Sequence, residues 1–122
     1  MKKRILVVDD SATVRQQISR ALEQADYSVV EAEDGAEGLR KVEATSDLQM
    51  VVCDVNMPVL DGLGMLAGLQ EKGLVYRFPV VMLTSEVQPS LMARAKRLGA
   101  KAWVVKPVSP DAFVATVNKL LA

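Results

Sequence analysis

Five short apolar runs alternate along the chain with longer segments in which apolar residues recur every three or four positions. The runs predict strands at 4–9, 27–32, 50–54, 80–83 and 102–105. The longer segments predict helices at 12–25, 34–44, 62–72, 87–98 and from 109 onwards. Because most of the runs are apolar throughout, they are typical of parallel strands that are buried on both faces. The alternation therefore predicts an α/β fold in which helices cover both faces of one sheet.

Polar residues and glycine mark where several of these helices begin and end. Asp34 followed by Glu37 is an acidic variant of the capping box. Ser109-Pro110-Asp111 combines a cap, a first-turn proline and an acid at the positive end of the helix dipole. Gly73 is expected to end the third helix.

In the first helix, the apolar stripe leaves four side chains for water: Arg15, Gln16, Arg20 and Glu23.

Four of the apolar runs are followed by polar side chains at the point where each strand ends: Asp9-Asp10, Asp54, Thr84-Ser85 and Lys106-Pro107. Taken singly, the acids and the hydroxyls are more often turns or helix caps than sites, and Lys106-Pro107 is merely a strand end with a solvated amine. In a parallel sheet, however, these ends share one edge, which is where open α/β sheets place their sites. They converge best when strand 1 is central beside strand 3, with strands 4 and 5 beyond it. We therefore expect a doubly wound, flavodoxin-like sheet of order 2-1-3-4-5.

The composition limits both the partners and the chemistry. With 122 residues the chain fits one domain, 1–122, and 15 basic against 15 acidic residues give no reason to expect a nucleic-acid or membrane-surface partner. A run of only four apolar residues precedes Asp9, too few for an export or membrane-spanning segment, so we expect a cytoplasmic protein. The single cysteine, Cys53, lies inside an apolar run and is interpreted as a core residue. Since histidine is absent, the chemistry must rest on carboxylates, hydroxyls and lysine.

The aspartates Asp9, Asp10 and Asp54 predict a metal site. Carboxylates at adjacent strand ends repel one another unless a cation neutralises them, and an all-oxygen cluster suits Mg²⁺ or Mn²⁺. Mg²⁺ in proteins often shares the oxygens of a phosphoryl group. Lys106 would supply a positive charge to such a group, and Thr84 a hydroxyl donor. Asp54, at the mouth of a central strand, is then the expected nucleophile, forming an aspartyl phosphate.

Together, these residues resemble the receiver domains of bacterial two-component response regulators. The resemblance is carried by Asp9-Asp10, Asp54-Val55-Asn56-Met57-Pro58 with Asp61-Gly62, Thr84-Ser85 and Lys106-Pro107. It implies that Asp54 takes a phosphoryl group from a phosphohistidine on a sensor histidine kinase. It also implies a ligand set for Mg²⁺, namely Asp9, Asp10, Asp54 and the Asn56 backbone carbonyl. Thr84 and Lys106 would bind the phosphoryl group, and the Lys106–Pro107 bond would be cis. Such a protein is no metabolic enzyme, since it catalyses only its own phosphorylation and dephosphorylation.

A narrower likeness is to the stand-alone, chemotaxis-type receivers. Asn56 lies two residues after the acceptor, Glu86 lies two after Thr84, and the chain ends just beyond the last helix. The likeness implies that Asn56 and Glu86 flank the attacking water and tune a fast self-dephosphorylation. It further implies a monomer that meets a downstream protein through its helix 4, strand 5 and helix 5 face, without binding nucleic acid directly.

Two other interpretations stay open. The 122 residues could be the receiver fragment of a longer, DNA-binding response regulator. A haloacid-dehalogenase-like phosphatase also uses a strand-end aspartate with Mg²⁺. That family needs a second aspartate two residues on, where this chain has Asn56.

Trp103 stands where receivers usually have Tyr or Phe, on the opposite face of strand 5 from Val104. One interpretation is a half-buried aromatic that covers the edge of the sheet. The other is a switch, in which phosphorylation draws Thr84 towards the phosphoryl group and lets the ring turn inward. The remodelled surface, with Met92, Lys96 and Trp103, would then be a partner site.

Overall fold

The structure, a computed structural model, describes residues 2–122, which form five strands and five helices in strict alternation. The elements are β1 Arg4–Val8, α1 Ala12–Gln24, β2 Ser28–Ala32, α2 Gly35–Ala44, β3 Leu48–Cys53, α3 Gly62–Glu71, β4 Val80–Thr84, α4 Pro89–Arg97, β5 Ala102–Val105 and α5 Pro110–Leu121. Every bound lies within two residues of its prediction. The helix α4 begins at Pro89 rather than at residue 87, because proline is favoured at the first helical position, where an amide hydrogen would have no partner.

The five strands form one parallel sheet in the order β2-β1-β3-β4-β5, which confirms the predicted fold. Val8, the last residue of β1, pairs with Cys53, the last residue of β3. Asp9 and Asp54 therefore leave neighbouring strands at the same level. Thr84 pairs with Val105, so Thr84 and Lys106 reach the same edge of the sheet.

Alternate residues of each strand face opposite sides of the sheet, and each side carries its own buried core. On one side, Val8 and Cys53 belong to a cluster that includes residues of α2, α3 and α4. On the other, Val7 and Val52 belong to a cluster that includes residues of α1 and α5. Burying one valine or leucine side chain stabilises the fold by roughly 1.5–3 kcal/mol, so both cores stabilise the central strands. Cys53 is buried, as its position in the apolar run predicts.

Four of the helices begin at a side-chain cap, formed by Ser11, Asp34, Asp61 and Ser109. The Oδ1 atom of Asp34 accepts a hydrogen bond from the Glu37 amide at 2.8 Å, as the sequence pattern predicts. Gly73, just after α3, has a positive φ of 71°, which suits the predicted helix end. Across residues 2–122 no helix combines the length and the apolar character needed to cross a bilayer.

Candidate functional site

Three aspartates meet at the carboxyl edge of the sheet. Asp9 and Asp10 follow β1 and Asp54 follows β3, and one carboxylate oxygen from each lies within 4.8 Å of the others. Asp9 and Asp54 are buried, whereas Asp10 is exposed. The structure therefore brings together the side chains that the sequence predicts as metal ligands. An all-oxygen set that opens to solvent on one side fits Mg²⁺, which keeps several of its waters.

Lys106 bridges the two buried carboxylates of this cluster. Its Nζ atom lies 2.8 Å from Asp9 Oδ2 and 2.9 Å from Asp54 Oδ2. Partial burial acts to lower the pKa of Lys106. The hydrogen bonds and charges of Asp9 and Asp54 outweigh that effect and hold this pKa above its usual value. The lysine is therefore positively charged at neutral pH and offsets part of the repulsion between the carboxylates.

The backbone around Asp54 fixes its carboxylate. The Asp54 amide donates to the Val8 carbonyl at 3.1 Å, and Asp54 Oδ1 accepts from the Val55 amide at 2.6 Å. Behind Asp54 the first residue of α3, Gly62, comes so close that a Cβ added there would lie 1.9 Å from the Asp54 carbonyl oxygen. Only glycine allows this approach. One carboxylate oxygen of Asp54 is thus held by a backbone amide and the other by Lys106.

Cys53 is the neighbouring group that could compete with Asp54 as a nucleophile. Burial, together with the negative charges of Asp54 and Asp9, raises the pKa of the Cys53 thiol far above its usual value. The thiol also faces the core on the α2–α4 side of the sheet. Cys53 is therefore a neutral core residue, and of the two neighbours only Asp54 presents a charged side chain to the cluster.

Arg15 is a contributor to the site that sequence reasoning missed. Its Nη1 atom donates to the Asp9 carbonyl at 2.6 Å, and its Nε atom donates to Glu31 Oε1 at 2.9 Å. The prediction that Arg15 faces water is wrong. Helical periodicity predicts only the direction in which the Arg15 side chain leaves α1. The first turn of α1 lies beside the ends of β1 and β2, so the guanidinium reaches two acceptors there. The one available signal was a basic residue one turn into the helix that follows the acidic pair.

Thr84 lies at the end of β4 and is fully buried. Its carbonyl accepts from the Lys106 amide at 2.8 Å, so the two residues adjoin through the backbone. Its Oγ1 atom accepts from the Glu86 amide at 3.3 Å. The hydroxyl therefore points into the loop after β4 in this conformation. The Lys106–Pro107 peptide bond is cis, as the resemblance implies.

The rim of the site consists of Asn56, which is exposed, and of Glu86 and Trp103, which are partly buried. Asn56 Nδ2 donates to Glu86 Oε1 at 2.7 Å, which joins the loop after β3 to the loop after β4. Trp103 is partly buried on the α2–α4 side of the sheet, whereas Val104 faces the other side, as predicted. Its indole Nε1 donates to the Glu86 carbonyl at 3.0 Å, a contact that the sequence did not predict.

The chain is similar to known proteins both in sequence and in structure. A family profile for the response regulator receiver domain matches residues 5–118. The chain is 33% identical to the chemotaxis protein CheY1 of Helicobacter pylori over 109 residues, 88% of each protein. It is 36% identical over 121 residues to PhoP, the alkaline phosphatase synthesis transcriptional regulatory protein of Bacillus subtilis, but spans only 49% of that protein. The solved structure of chemotaxis protein CheY4 of Vibrio cholerae superposes with a TM-score of 0.92 at 34% identity, covering 99% of this chain and 100% of that one.

Proposed function

The chain belongs to the receiver domain family of response regulators, and from that premise we propose that Asp54 accepts a phosphoryl group from the phosphohistidine of a sensor histidine kinase. Receiver domains act as phosphorylation-dependent switches rather than as metabolic enzymes. The observation that carries the proposal is the Asp54 carboxylate, held 2.9 Å from Lys106 beside two further aspartates at an open strand end.

In this proposal Asp54 forms a bond to phosphorus while the phosphorus–nitrogen bond to histidine breaks, and the imidazole keeps the electron pair. Lys106 and the Thr84 hydroxyl bind the phosphoryl oxygens, which requires Thr84 to turn away from the Glu86 amide. Asp9, Asp10, Asp54 and the Asn56 carbonyl would hold Mg²⁺ or Mn²⁺. The bound ion supplies charge neutralisation between the incoming phosphoryl group and the carboxylates.

Two surface features fit the partners that this role needs. A cleft of about 690 Å³ lies between α1 and α5, reaches Lys106, and has Ile18 and Phe113 in its lining, which suits a kinase domain docking beside the acceptor. A second cleft, of about 400 Å³, lies between α4 and β5 and includes Met92, Lys96 and Trp103. Since α4 carries basic residues and no acidic ones, we propose that this second cleft takes an acidic, apolar segment of a downstream protein.

The resemblance to chemotaxis-type receivers further supports a cytoplasmic monomer, a single domain over 1–122, that loses its phosphoryl group by its own hydrolysis. Asn56 and Glu86, joined at the rim, would flank the attacking water. The half-length match to the Bacillus regulator supports a second candidate, a receiver unit of a longer DNA-binding regulator. Reading the gene beyond the codon for Ala122 separates the two candidates. The chain lacks the second aspartate that a haloacid-dehalogenase-like phosphatase needs, because Asn56 stands at that position.

The proposed acceptor can be tested with small phosphoryl donors. Acetyl phosphate, or phosphoramidate with its phosphorus–nitrogen bond, is mixed with the chain and Mg²⁺, and the intact mass is measured. We expect one phosphoryl adduct, lost on chelation of the metal and absent in Asp54→Ala. Asp47→Ala, at an exposed aspartate away from the site, should keep the adduct. An adduct that persists in Asp54→Ala would contradict the assignment.

A further inference from the structure

Glu86 occupies a position where three contacts of the site rim meet. Its carboxylate accepts from Asn56 Nδ2 at 2.7 Å, and its amide donates to Thr84 Oγ1 at 3.3 Å. Its carbonyl accepts from Trp103 Nε1 at 3.0 Å. The loop after β4 is therefore tied at one residue to the acceptor loop, to the strand end and to β5.

Two of these contacts come from strands, but the one to Thr84 is lost when Thr84 turns towards the phosphoryl group, so the indole bond is the link to the sheet that remains. Trp103 is in β5, paired with Met82 of β4, and packs against the core on the α2–α4 side of the sheet. Glu86 lies between β4 and α4, and α4 has no side-chain cap to fix its start. Phenylalanine at position 103 could not donate this hydrogen bond. Tyrosine could donate only from the hydroxyl at the far end of its ring, which does not coincide with the indole N–H. The indole N–H is thus a donor that ties the Glu86 backbone to β5.

We propose that Trp103 is a positioning residue for the Asn56–Glu86 pair and that it thereby speeds loss of the phosphoryl group from Asp54. The inference rests on the proposed function. In the hydrolytic step, the water oxygen bonds to phosphorus as the bond from phosphorus to the Asp54 oxygen breaks. The electron pair returns to the Asp54 carboxylate, and both protons of the water leave with inorganic phosphate. The pair at the mouth of the site orients that water, and the indole keeps Glu86 within reach of Asn56.

The test compares Trp103→Phe, which keeps an aromatic ring and removes the donor, with the wild-type chain. Each protein is phosphorylated with acetyl phosphate and Mg²⁺, the donor is removed, and the adduct mass is followed over time. Loss of one hydrogen bond predicts a lifetime longer by about two- to fivefold. Tyr27→Phe is the matched control, because it also removes an aromatic hydrogen bond, from Tyr27 to Asn118, at a distance from the rim. Its adduct should decay at the wild-type rate.

Two further proteins show whether Trp103 acts through the pair. In Glu86→Ala, which keeps the backbone carbonyl, the added Trp103→Phe change should have no further effect on the lifetime. In the unphosphorylated Trp103→Phe protein, the Asn56 side-chain amide resonances should shift towards those of a free amide. The inference would be overturned, and the proposed function left intact, by either of two results. One is an unchanged lifetime in Trp103→Phe, and the other is an effect of Trp103→Phe in the Glu86→Ala background as large as in the wild-type chain. Absence of any adduct in the wild-type chain would instead overturn the proposed function and this inference with it.

Discussion

The buried centre of the site and its exposed rim are held in different ways. In the centre, Asp9, Asp54 and Thr84 are buried at strand ends, and the pairing of the sheet sets their positions. At the rim, the Asn56–Glu86 contact is exposed and joins two loops by side chains alone. Changes in the centre should therefore reduce the stability of the fold, whereas changes at the rim should alter the lifetime of the phosphoryl group and leave stability nearly unchanged.

The largest loss of stability is expected for Gly62→Ala. The added Cβ would lie 1.9 Å from the Asp54 carbonyl oxygen, so the backbone of β3 or α3 must move. Overpacking against backbone predicts a free energy of unfolding lower by about 3 kcal/mol, measured by urea denaturation. Gly68→Ala is the matched control on the same helix, where the nearest atom is a flexible Leu39 methyl at 3.0 Å. If the two variants are equally stable, the close packing behind Asp54 is not what holds the centre.

Lys106→Met should produce the next largest effect, because it leaves two buried carboxylates facing each other without their shared cation. Removing one partner of a buried ion pair costs about 3–5 kcal/mol. Since Lys106 is itself partly exposed, we expect roughly 2 kcal/mol at pH 7. Adding Mg²⁺ should restore part of this loss through the same carboxylates. The variant Lys119→Met, at an exposed lysine in α5, should match the wild-type chain.

The pH dependence of the wild-type chain gives the same residue a second test. The pKa of Lys106 is raised in the folded state, so the contribution of Lys106 to stability is fully present below the unfolded pKa of 10.5 and is lost as pH rises through the folded pKa. We expect the stability difference between wild type and Lys106→Met to be constant from pH 7 to about pH 10 and to shrink above it. A difference that already shrinks below pH 9 would show that the carboxylates do not hold the lysine in its charged form.

Much of the centre could be predicted from the sequence, and the reason is the geometry of the sheet. Asp9, Asp54 and Lys106 directly follow apolar runs, so the prediction that the strands are parallel was enough to place them at one edge. Parallel pairing then left little freedom for their backbone. The order 2-1-3-4-5 was expected because these strand ends converge best in it, whereas the cis Lys106–Pro107 bond was expected only from the family likeness.

Contacts made by long side chains across elements could not be predicted. The direction of Arg15 depends on how the first turn of α1 sits over β2, and helical spacing does not contain that information. The indole bond from Trp103 to Glu86 likewise depends on the path of the loop before α4, which has no regular backbone pairing. For this reason the sequence did not predict the contacts of Arg15 and Trp103 at the site.

Arg15→Met tests the contact that was missed and should have a smaller effect than the changes above. The variant leaves the Asp9 carbonyl and Glu31 without their shared donor, which predicts a loss of roughly 1 kcal/mol. Arg20→Met, an exposed arginine on the same helix, should be within about 0.5 kcal/mol of the wild-type chain. Thermal unfolding followed by circular dichroism is sensitive enough to separate them. Equal losses in both variants would show that the Asp9 contact adds nothing.

Asn56→Arg should have the smallest effect on stability, within about 0.5 kcal/mol, because Asn56 is exposed at the rim. It should nevertheless lengthen the lifetime of the phosphoryl group, since the side chain that is replaced lies beside the path proposed for water. The fraction of protein that carries the adduct is followed over time by intact mass. Gln49→Arg, at an exposed position on β3, is the control. A wild-type lifetime in Asn56→Arg would remove the rim from the account of hydrolysis.

The proposed function requires that the phosphoryl group goes to Asp54 and to no other carboxylate of the cluster. An aspartyl phosphate is an acyl phosphate, so borohydride reduces it to homoserine and marks the residue that carried it. The chain is phosphorylated with acetyl phosphate and Mg²⁺, reduced, digested and sequenced by tandem mass spectrometry. We expect homoserine at position 54 alone. Homoserine at position 9 or 10, or a stable adduct with none at 54, would contradict the account.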